Sequence, residues 1–399
     1  MSARTDALLS AQAVRSHCEQ IMALAEQDRA PYFQLHMARM PEAAAWVADT
    51  IRLQYPDLDV PYHSRWRHFE AGGIDRWGRL ANGQGLDGAE RARIRLDLVI
   101  PSVLLDAGAG PDWRYEDSNG IRLSRSEGLG VASLALFARG LLSDDAGRPL
   151  RSDAAALSRL GEDTLAQAFQ VTPSNPLVGL AGRAALLQRL GAAMTARPEI
   201  FGVPARLGNL YDALAARAAH GRIDAGAVLQ LLLQTLGPVW PGRIELDGVS
   251  LGDCWHHPGT DDGLVPFHKL TQWLTYSMLE PLEEAGLVVS NLDTLTGLPE
   301  YRNGGLLLDF GIITPRDPGF CQRLLTVDEP AVVEWRALTV ILLDRMADAV
   351  RAELGVAAAD FPLARILEGG TWAAGRRIAA ERRPGGAPPV SIASDGTVF

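Results

Sequence analysis

The sequence has few cysteines and no long basic or apolar run. Its 399 residues include Cys18, Cys254 and Cys321, an odd and widely spaced set that excludes a disulfide framework and fits a reducing compartment. Lysine and arginine total 38 against 48 aspartate and glutamate, a net charge of −10, which argues against a protein that binds nucleic acid or a membrane surface. No stretch approaches about 18 uncharged apolar residues, and the N-terminus has no signal-peptide pattern. These absences predict a soluble, cytoplasmic protein that acts on a small molecule.

Several catalytic and cofactor motifs are also missing. The sequence has no GxxxxGK[ST] loop, no GxGxxG motif after a strand and no GxSxG elbow. One cluster holds candidate metal ligands but has neither the Cys-x-x-Cys nor the His-Glu-x-x-His spacing of standard zinc sites. This cluster consists of Cys254, His256, His257, Asp261, Asp262 and His268. We therefore predict neither a metal nor a cofactor.

Helical periodicity is the main pattern that is present. The clearest helix runs through Trp335 and Leu354, and Thr326 followed three residues later by Glu329 has the form of a capping box at its start. Further helical segments lie near residues 90–106, 127–142, 153–169, 178–196, 205–219 and 224–236. The predicted fold class is mainly α.

Two Asp-Gly dipeptides between short β-type segments predict small β-ribbons, because this pair supplies the positive φ angles of a tight hairpin turn. They are Asp247-Gly248 and Asp395-Gly396. No repeat or low-complexity linker divides the chain. We therefore expect a single helical domain over 1–399, or two tightly fused lobes over 1–240 and 241–399.

A predicted helix that begins near residue 267 has two distinct faces. One face presents Lys269, Gln272, Trp273 and Tyr276, which suit an anionic, ring-bearing ligand. The opposite face presents Phe267, Leu270, Leu274 and Met278, and we expect it to face the core. The alternative for the polar face is an ordinary solvated surface.

The loop that follows this helix carries two carboxylates, Asp293 and Glu300. Carboxylates on an irregular segment are candidates for acid–base or ion-stabilising work, and Tyr301 and Arg302 adjoin the second one. Arg302 can keep a nearby carboxylate ionised or hold a phosphate. The alternative is an aspartate that caps a helix and a surface Glu-Arg pair.

These two segments together resemble the queuosine nucleotide N-glycosidase family. The resemblance rests on Phe267-x-Lys269-x-x-Gln272, on Asp293-x-Leu295-Thr296 and on an acidic residue before Tyr301-Arg302. In that family the acidic residue is an aspartate, whereas this chain has Glu300. The resemblance implies a helical hydrolase, akin in fold to helix-hairpin-helix DNA glycosylases, that cleaves a base from a ribose phosphate.

Almost the whole chain is more closely similar to the uracil catabolism protein 4 family. The resembling blocks are Tyr62-His-Ser-Arg-Trp-Arg-His-Phe-Glu-Ala-Gly-Gly73, Trp113-Arg-Tyr-Glu-Asp117, Arg125-Ser-Glu-Gly128, Glu368-Gly-Gly-Thr-Trp372 with Ala374-Gly-Arg376, and Ser394-Asp-Gly-Thr-Val-Phe399. The resemblance implies a place in a pathway that converts uracil to its ribonucleotide, opens the ring and releases urea through ribosylurea species.

The two resemblances combine into one hypothesis, in which the protein hydrolyses the N-glycosidic bond of a ribosylurea, as its 5′-phosphate. Glu300 is the first candidate to stabilise the oxocarbenium ion or aim a water, and Asp293 is the second. Lys269 and Arg302 would anchor the phosphate or complement charge. The other predicted substrate-binding residues are Gln272, Trp273, Tyr301, Asp253, Trp255 and His257, of which Asp253 and His257 would bond the urea amide edges and Trp255 would form a wall.

Several assignments stay open at this point. Trp113-Arg-Tyr-Glu-Asp117 is a further candidate wall, and Arg65, Arg67 and His68 are either phosphate contacts or, as we favour, structural residues. One rival function is an amidohydrolase acting on a ring-opened pyrimidine nucleotide. Another is a non-catalytic protein that binds a labile intermediate. The sequence leaves the oligomeric state undecided.

Overall fold

The computed structural model describes residues 2–240 and 243–393, and helices dominate them. The helices are α1 (Ala3–Leu8), α2 (Ala11–Glu26), α3 (Met40–Gln54), α4 (Arg65–Phe69), α5 (Arg76–Ala81), α6 (Gly88–Leu104), α7 (Arg125–Ala138), α8 (Ala154–Arg159), α9 (Glu162–Ala168), α10 (Leu180–Thr195), α11 (Pro198–Phe201), α12 (Leu210–Ala215), α13 (Ala225–Leu236), α14 (Lys269–Glu284), α15 (Tyr301–Asp309), α16 (Pro330–Leu354), α17 (Leu363–Arg365) and α18 (Ala373–Arg382). A π-helical segment, Ile366–Trp372, joins α17 to α18. The mainly α class is confirmed, while the closer likeness to helix-hairpin-helix glycosylases stays a prediction.

Within residues 2–240 and 243–393 the strands pair as two-stranded ribbons. They are β1 (Phe33–Leu35), β2 (Tyr115–Glu116), β3 (Arg122–Leu123), β4 (Arg222–Asp224), β5 (Glu245–Leu246), β6 (Val249–Ser250), β7 (Cys254–His256), β8 (Leu264–Pro266), β9 (Val288–Ser290), β10 (Ile313–Pro315), β11 (Leu324–Leu325) and β12 (Ser391–Ile392). The pairs among the described residues are β1–β10, β2–β3, β5–β6 and β7–β8, which are antiparallel, and β4–β9 and β11–β12, which are parallel.

The first predicted ribbon is confirmed. The strands β5 and β6 pair across Asp247-Gly248, whose φ angles are 53° and 74°, as a tight hairpin turn requires. Of the second predicted ribbon, Ser391–Ile392 forms β12, which pairs with β11. Its turn, Asp395-Gly396, and the second arm lie outside the described residues.

The predicted long helix is α16, but it begins later than expected. Pro330 occupies its first turn, and the residue before it, Glu329, is the N-cap. The Glu329 side chain accepts a hydrogen bond from the Thr326 amide at 2.8 Å, which is one half of a capping box. The box therefore precedes α16 and does not start it, because the proline sets the first helical position.

Helix α14 is buried on nearly every side. Its predicted polar face is as buried as its apolar face, with Gln272 and Tyr276 fully enclosed. Leu270, which we expected in the core, is only partly buried. The alternative of an ordinary solvated surface for the polar face was therefore wrong, because α6, α13 and the segments around α14 cover the helix from several directions.

Elements from the two halves of the chain alternate in space. Helices α2 and α3 pack on α16, α6 packs on α14, and the ribbons β1–β10 and β4–β9 each join one strand from before residue 240 to one from after it. This interleaving brings α4, α7, α14, α15 and the π-helical segment around a common space.

Candidate functional site

A cavity of about 560 Å³ lies among these elements, within the range of about 300–1,000 Å³ that is typical of small-molecule sites. Its polar lining comes from separate parts of the chain. The polar and aromatic residues that line it are His63, His68, Asp106, Arg125, Ser126, Lys269, Trp273, Glu300, Tyr301, Arg302, Trp372 and Ser391. Lys269 and Glu300, which the sequence predicted to act at one substrate site, both lie in this lining.

Glu300 is a carboxylate of the cavity lining, as is Asp106, and it is also the N-cap of α15. Its two carboxylate oxygens accept hydrogen bonds from the amides of Arg302 at 2.7 Å and Asn303 at 2.6 Å. Burial raises the pKa of Glu300 above its ordinary value, although these amides and the charge of Lys269 act in the opposite direction. The result is an oriented carboxylate held at a positive helix end.

Lys269 is the first residue of α14 and the single lysine of the chain. Burial lowers the pKa of its ammonium to about 8, and repulsion from Arg336 contributes, while Glu300 acts to raise it. Its backbone amide donates to Asp253 at 3.0 Å, which fixes the start of the helix. Lys269 and Glu300 are therefore electrostatically coupled within the cavity.

Two indoles and two imidazoles form an aromatic wall. The Trp273 ring centroid lies 6.2 Å from that of His63 and 5.8 Å from that of His68. The Trp372 ring centroid lies 5.9 Å from His63 and 6.2 Å from His68. The Trp273 indole N–H is buried and has no hydrogen-bond partner among the described residues. The wall therefore offers flat apolar faces and one unused donor.

His68 is held neutral in this wall. Burial lowers the pKa of His68 well below its ordinary value, and the neighbouring charge of Arg65 adds to the effect. The Arg65 guanidinium lies 3.4 Å from the Nδ1 atom of His68 and only donates, so Nδ1 is the acceptor and the proton lies on Nε2. Arg65 itself is fully buried and pairs with Asp106, which supports the structural interpretation of this arginine.

Arg125 is an exposed cation in the cavity lining. It starts α7 with φ of 53°, a left-handed conformation that costs a non-glycine residue of order 1–3 kcal/mol. Among residues 2–240 and 243–393 its guanidinium has neither an ion pair nor a hydrogen bond. By contrast, Arg302 is buried, donates to Gly386 O at 3.0 Å and lies over the Tyr301 ring. Arg125 is thus the cation with greater access to a ligand.

Gln272 does not line the cavity, contrary to its predicted role. Its amide accepts from the Thr296 amide at 2.8 Å and donates to the Thr296 hydroxyl at 2.6 Å. The Tyr276 hydroxyl donates to Thr296 O at 3.1 Å. These contacts join the loop before Glu300 to α14, the helix that carries Lys269. Gln272 therefore positions the site without lining the cavity where a ligand would bind.

The group Asp253, Trp255 and His257 also lies outside the cavity lining. Asp253 forms a bidentate pair with Arg336 at 2.9 and 2.8 Å, and although burial acts to raise its pKa, this pair holds the pKa well below the ordinary value. The Trp255 indole donates to Asp253 at 2.6 Å. His257 is buried, with Nε2 3.3 Å from Glu334. The structure therefore does not place these three side chains against the cavity, because they are already engaged within the core. Their contacts with urea stay a prediction.

Asp293, the second predicted carboxylate, is on the surface. Its side chain is 69% exposed and lies 4.0 Å from Arg351, away from the cavity lining. Trp113 is fully buried and donates to Phe169 O at 3.0 Å, so it is a core residue and not a wall. Arg67 pairs with Glu280 at 2.7 Å, in agreement with a structural role.

The sequence motifs did not indicate every lining residue as a site candidate, and those they missed include His63, Arg125 and Trp372. Each belongs to one of the blocks that carry the similarity to uracil catabolism protein 4, but their convergence depends on the fold. Close packing explains why the Glu368-Gly-Gly-Thr-Trp372 block contains glycine. A Cβ on Gly369 would lie 2.8 Å from Val60 Cγ1, so only glycine lets this segment pack closely.

No helix within 2–240 and 243–393 is long and apolar enough to cross a bilayer. In the same residues, no group of three histidine, cysteine, aspartate or glutamate side chains is arranged to hold a metal ion.

Comparison with known proteins gives two relatives that match along their full length. "Uracil catabolism protein 4" from Lachancea kluyveri is 38% identical over 432 residues, covering 98% of each chain. "Protein urg3" from Schizosaccharomyces pombe (strain 972 / ATCC 24843) is 40% identical over 412 residues, covering all of both chains. Residues 7–399 match the sequence profile of a family described as "Protein of unknown function (DUF1688)". The chain belongs to the DUF1688 family, and its predicted kinship with uracil catabolism protein 4 is confirmed.

Proposed function

We propose that this protein is a hydrolase of pyrimidine catabolism that cleaves the N-glycosidic bond of a ribosylurea 5′-phosphate, releasing urea and ribose 5-phosphate. The names of its relatives supply the pathway. The main support for this reaction is the position of Glu300. Two helix amides orient its carboxylate, which lies in the same cavity as Lys269 and interacts with it electrostatically.

Glu300 suits the demands of glycosidic cleavage. As the C1′–N bond breaks, positive charge develops on the ribose, and a fixed carboxylate stabilises that charge without reorganising. The same carboxylate accepts the proton of the attacking water, a role worth about 10²–10⁴-fold. Because one helix amide donates to each carboxylate oxygen, we expect the carboxylate to keep one orientation throughout the reaction.

Arg125 supports a phosphorylated substrate. It lies in the cavity lining as an exposed cation, and a guanidinium binds phosphate through its planar fork. Lys269 is better suited to the ribose end, because its charge acts on Glu300. The sequence-based prediction left Lys269 and Arg302 either to anchor the phosphate or to complement charge, and this division gives Lys269 the second role.

The test is to incubate purified protein with ribosylurea and with its 5′-phosphate and to quantify urea, ammonia and reducing sugar. We expect equimolar urea and ribose 5-phosphate, with the phosphorylated substrate preferred. Ammonia without a new reducing sugar would instead indicate an amidohydrolase. Stoichiometric binding without turnover would indicate a protein that only sequesters the intermediate, and either result contradicts the proposal.

A further inference from the structure

A histidine–carboxylate pair at the edge of the cavity is not used by the reaction described above. The Nδ1 atom of His63 lies 2.6 Å from a carboxylate oxygen of Glu368. The side chains are 8% and 12% exposed, so solvent screens the pair weakly. His63 lines the cavity and Glu368 does not. The imidazole is therefore the member of the pair that a ligand can reach.

The chemistry of the pair defines the proton positions. An ionised carboxylate only accepts hydrogen bonds, so Nδ1 of His63 donates to Glu368, and Nε2 is left to carry or release a second proton. This arrangement is opposite to that of His68, whose Nδ1 faces Arg65. Of the two imidazoles in this wall, His63 therefore faces a carboxylate and His68 faces a guanidinium.

The backbone holds this pair firmly. The His63 amide donates to Ala364 O at 2.9 Å, next to the segment that carries Glu368. Glu368 and Trp372 both belong to the π-helical segment Ile366–Trp372, a conformation found frequently at functional sites. Trp273 and Trp372 flank the imidazole, with centroids 6.2 and 5.9 Å away, which limits its rotation.

We propose that His63 is the general acid that protonates the departing urea nitrogen, and that Glu368 is its positioning residue. The C1′–N bond breaks with its electron pair moving to nitrogen, which takes the proton from Nε2 of His63. Water adds its oxygen to C1′ and gives a proton to Glu300, and that proton returns to His63 through solvent. Ribosylurea 5′-phosphate and water thus become urea and ribose 5-phosphate. This inference rests on the proposed function.

The test compares two substrates that differ in their need for a proton. Urea is a poor leaving group unless protonated, whereas 4-nitrophenolate leaves as a stable anion. We expect His63→Gln to lower kcat for ribosylurea 5′-phosphate by about 10²–10⁴-fold and to leave hydrolysis of 4-nitrophenyl β-D-ribofuranoside 5-phosphate within a few-fold of wild type. Glu300→Gln should lose both activities, because both substrates need the stabilised cation and the activated water.

Three further variants keep the inference testable if the protein does not hydrolyse the nitrophenyl substrate. Added imidazole should restore turnover of ribosylurea 5′-phosphate by His63→Gly, because it supplies the missing acid. Glu368→Gln should lower kcat with little change in KM, and Glu368→Asp should recover part of it. His36→Gln, an exposed histidine away from the cavity, is the control.

The outcomes separate the two proposals. If wild type releases urea but His63→Gln loses both substrates equally, or if imidazole fails to rescue His63→Gly at unchanged Tm, then His63 is structural and the glycosidase proposal survives. Full activity of His63→Gln with ribosylurea 5′-phosphate would also overturn the role of His63 as general acid and leave the glycosidase proposal in place. If wild type hydrolyses neither substrate, both proposals are overturned.

Discussion

Glu300 serves both the helix and the cavity, which is the central fact at the scale of single residues. As the N-cap of α15 it satisfies two amides that have no partner within the helix. As a lining residue it presents negative charge to the cavity. Stability and catalysis therefore depend on the same two oxygen atoms. A substitution of Glu300 requires a measurement of activity and a measurement of the free energy of unfolding.

We expect Glu300→Gln to abolish urea release while ribose 5-phosphate still binds. The neutral amide neither stabilises the oxocarbenium ion nor takes a proton, and its NH₂ group faces an amide donor, so the free energy of unfolding should fall by about 0.5–2 kcal/mol. Activity assays and urea denaturation measure the two effects. Asp293→Asn is the matched control, because the loss of this exposed carboxylate should change neither activity nor the free energy of unfolding. Full activity in Glu300→Gln would reject the assignment.

Arg125→Ala should raise KM for ribosylurea 5′-phosphate by at least tenfold and leave the KM for unphosphorylated ribosylurea nearly unchanged. The reason is that only the phosphate needs this cation. Steady-state kinetics with both substrates provide the measurement. Arg122→Ala removes an exposed arginine three residues earlier, outside the cavity lining, and should have no effect. Equal losses with both substrates would contradict a phosphate subsite.

The single lysine makes the electrostatics of the site directly measurable. After reductive ¹³C-methylation, one side-chain resonance should titrate with a pKa of about 8. Glu300→Gln should lower that pKa, because the variant removes a negative charge that favours the ammonium. Turnover should decline as pH rises through about 8 and also as pH falls through the raised pKa of Glu300. A lysine that titrates near its ordinary value would contradict this account.

At the scale of elements, the site depends on close packing of the π-helical segment. Gly369 and Gly370 lie against Val60, Tyr55 and the side chains of α3, and a Cβ on Gly369 would approach Val60 to 2.8 Å and Tyr55 to 3.1 Å. The segment cannot move away without displacing Glu368 and Trp372. Its glycines therefore set the position of the aromatic wall.

Gly369→Ala should lower the free energy of unfolding by about 1–3 kcal/mol through overpacking. It should also reduce kcat, because Glu368 and Trp372 shift with the backbone. Gly237→Ala is the control, since no atom lies within 4 Å of a Cβ there and its φ is helical. Chemical denaturation and kinetics of both variants give the comparison, and a Gly369→Ala protein as stable and active as wild type would refute the steric argument.

At the scale of the whole molecule, the interleaved halves should unfold together. β1 depends on β10 for its partner strand, and α2 and α3 depend on α16 for their apolar contacts. We expect calorimetry, tryptophan fluorescence and far-UV circular dichroism to give one coincident transition. Residues 1–240 expressed alone should lack a cooperative transition. Two well-separated transitions would instead support two independent lobes.

The sequence by itself determined the helical class, the Asp247-Gly248 hairpin and the family, because periodicity, turn chemistry and long similar blocks are local or linear properties. It also singled out Lys269, Trp273, Glu300, Tyr301 and Arg302, all of which line the cavity. Only the tertiary structure separated these from Gln272, Asp253 and Asp293, since partners such as Thr296 and Arg336 are distant in the chain. The tertiary structure also brought His63, Arg125 and Trp372 together in the cavity lining. A cavity results from the packing of distant segments, so no periodic pattern in the sequence indicates its lining residues.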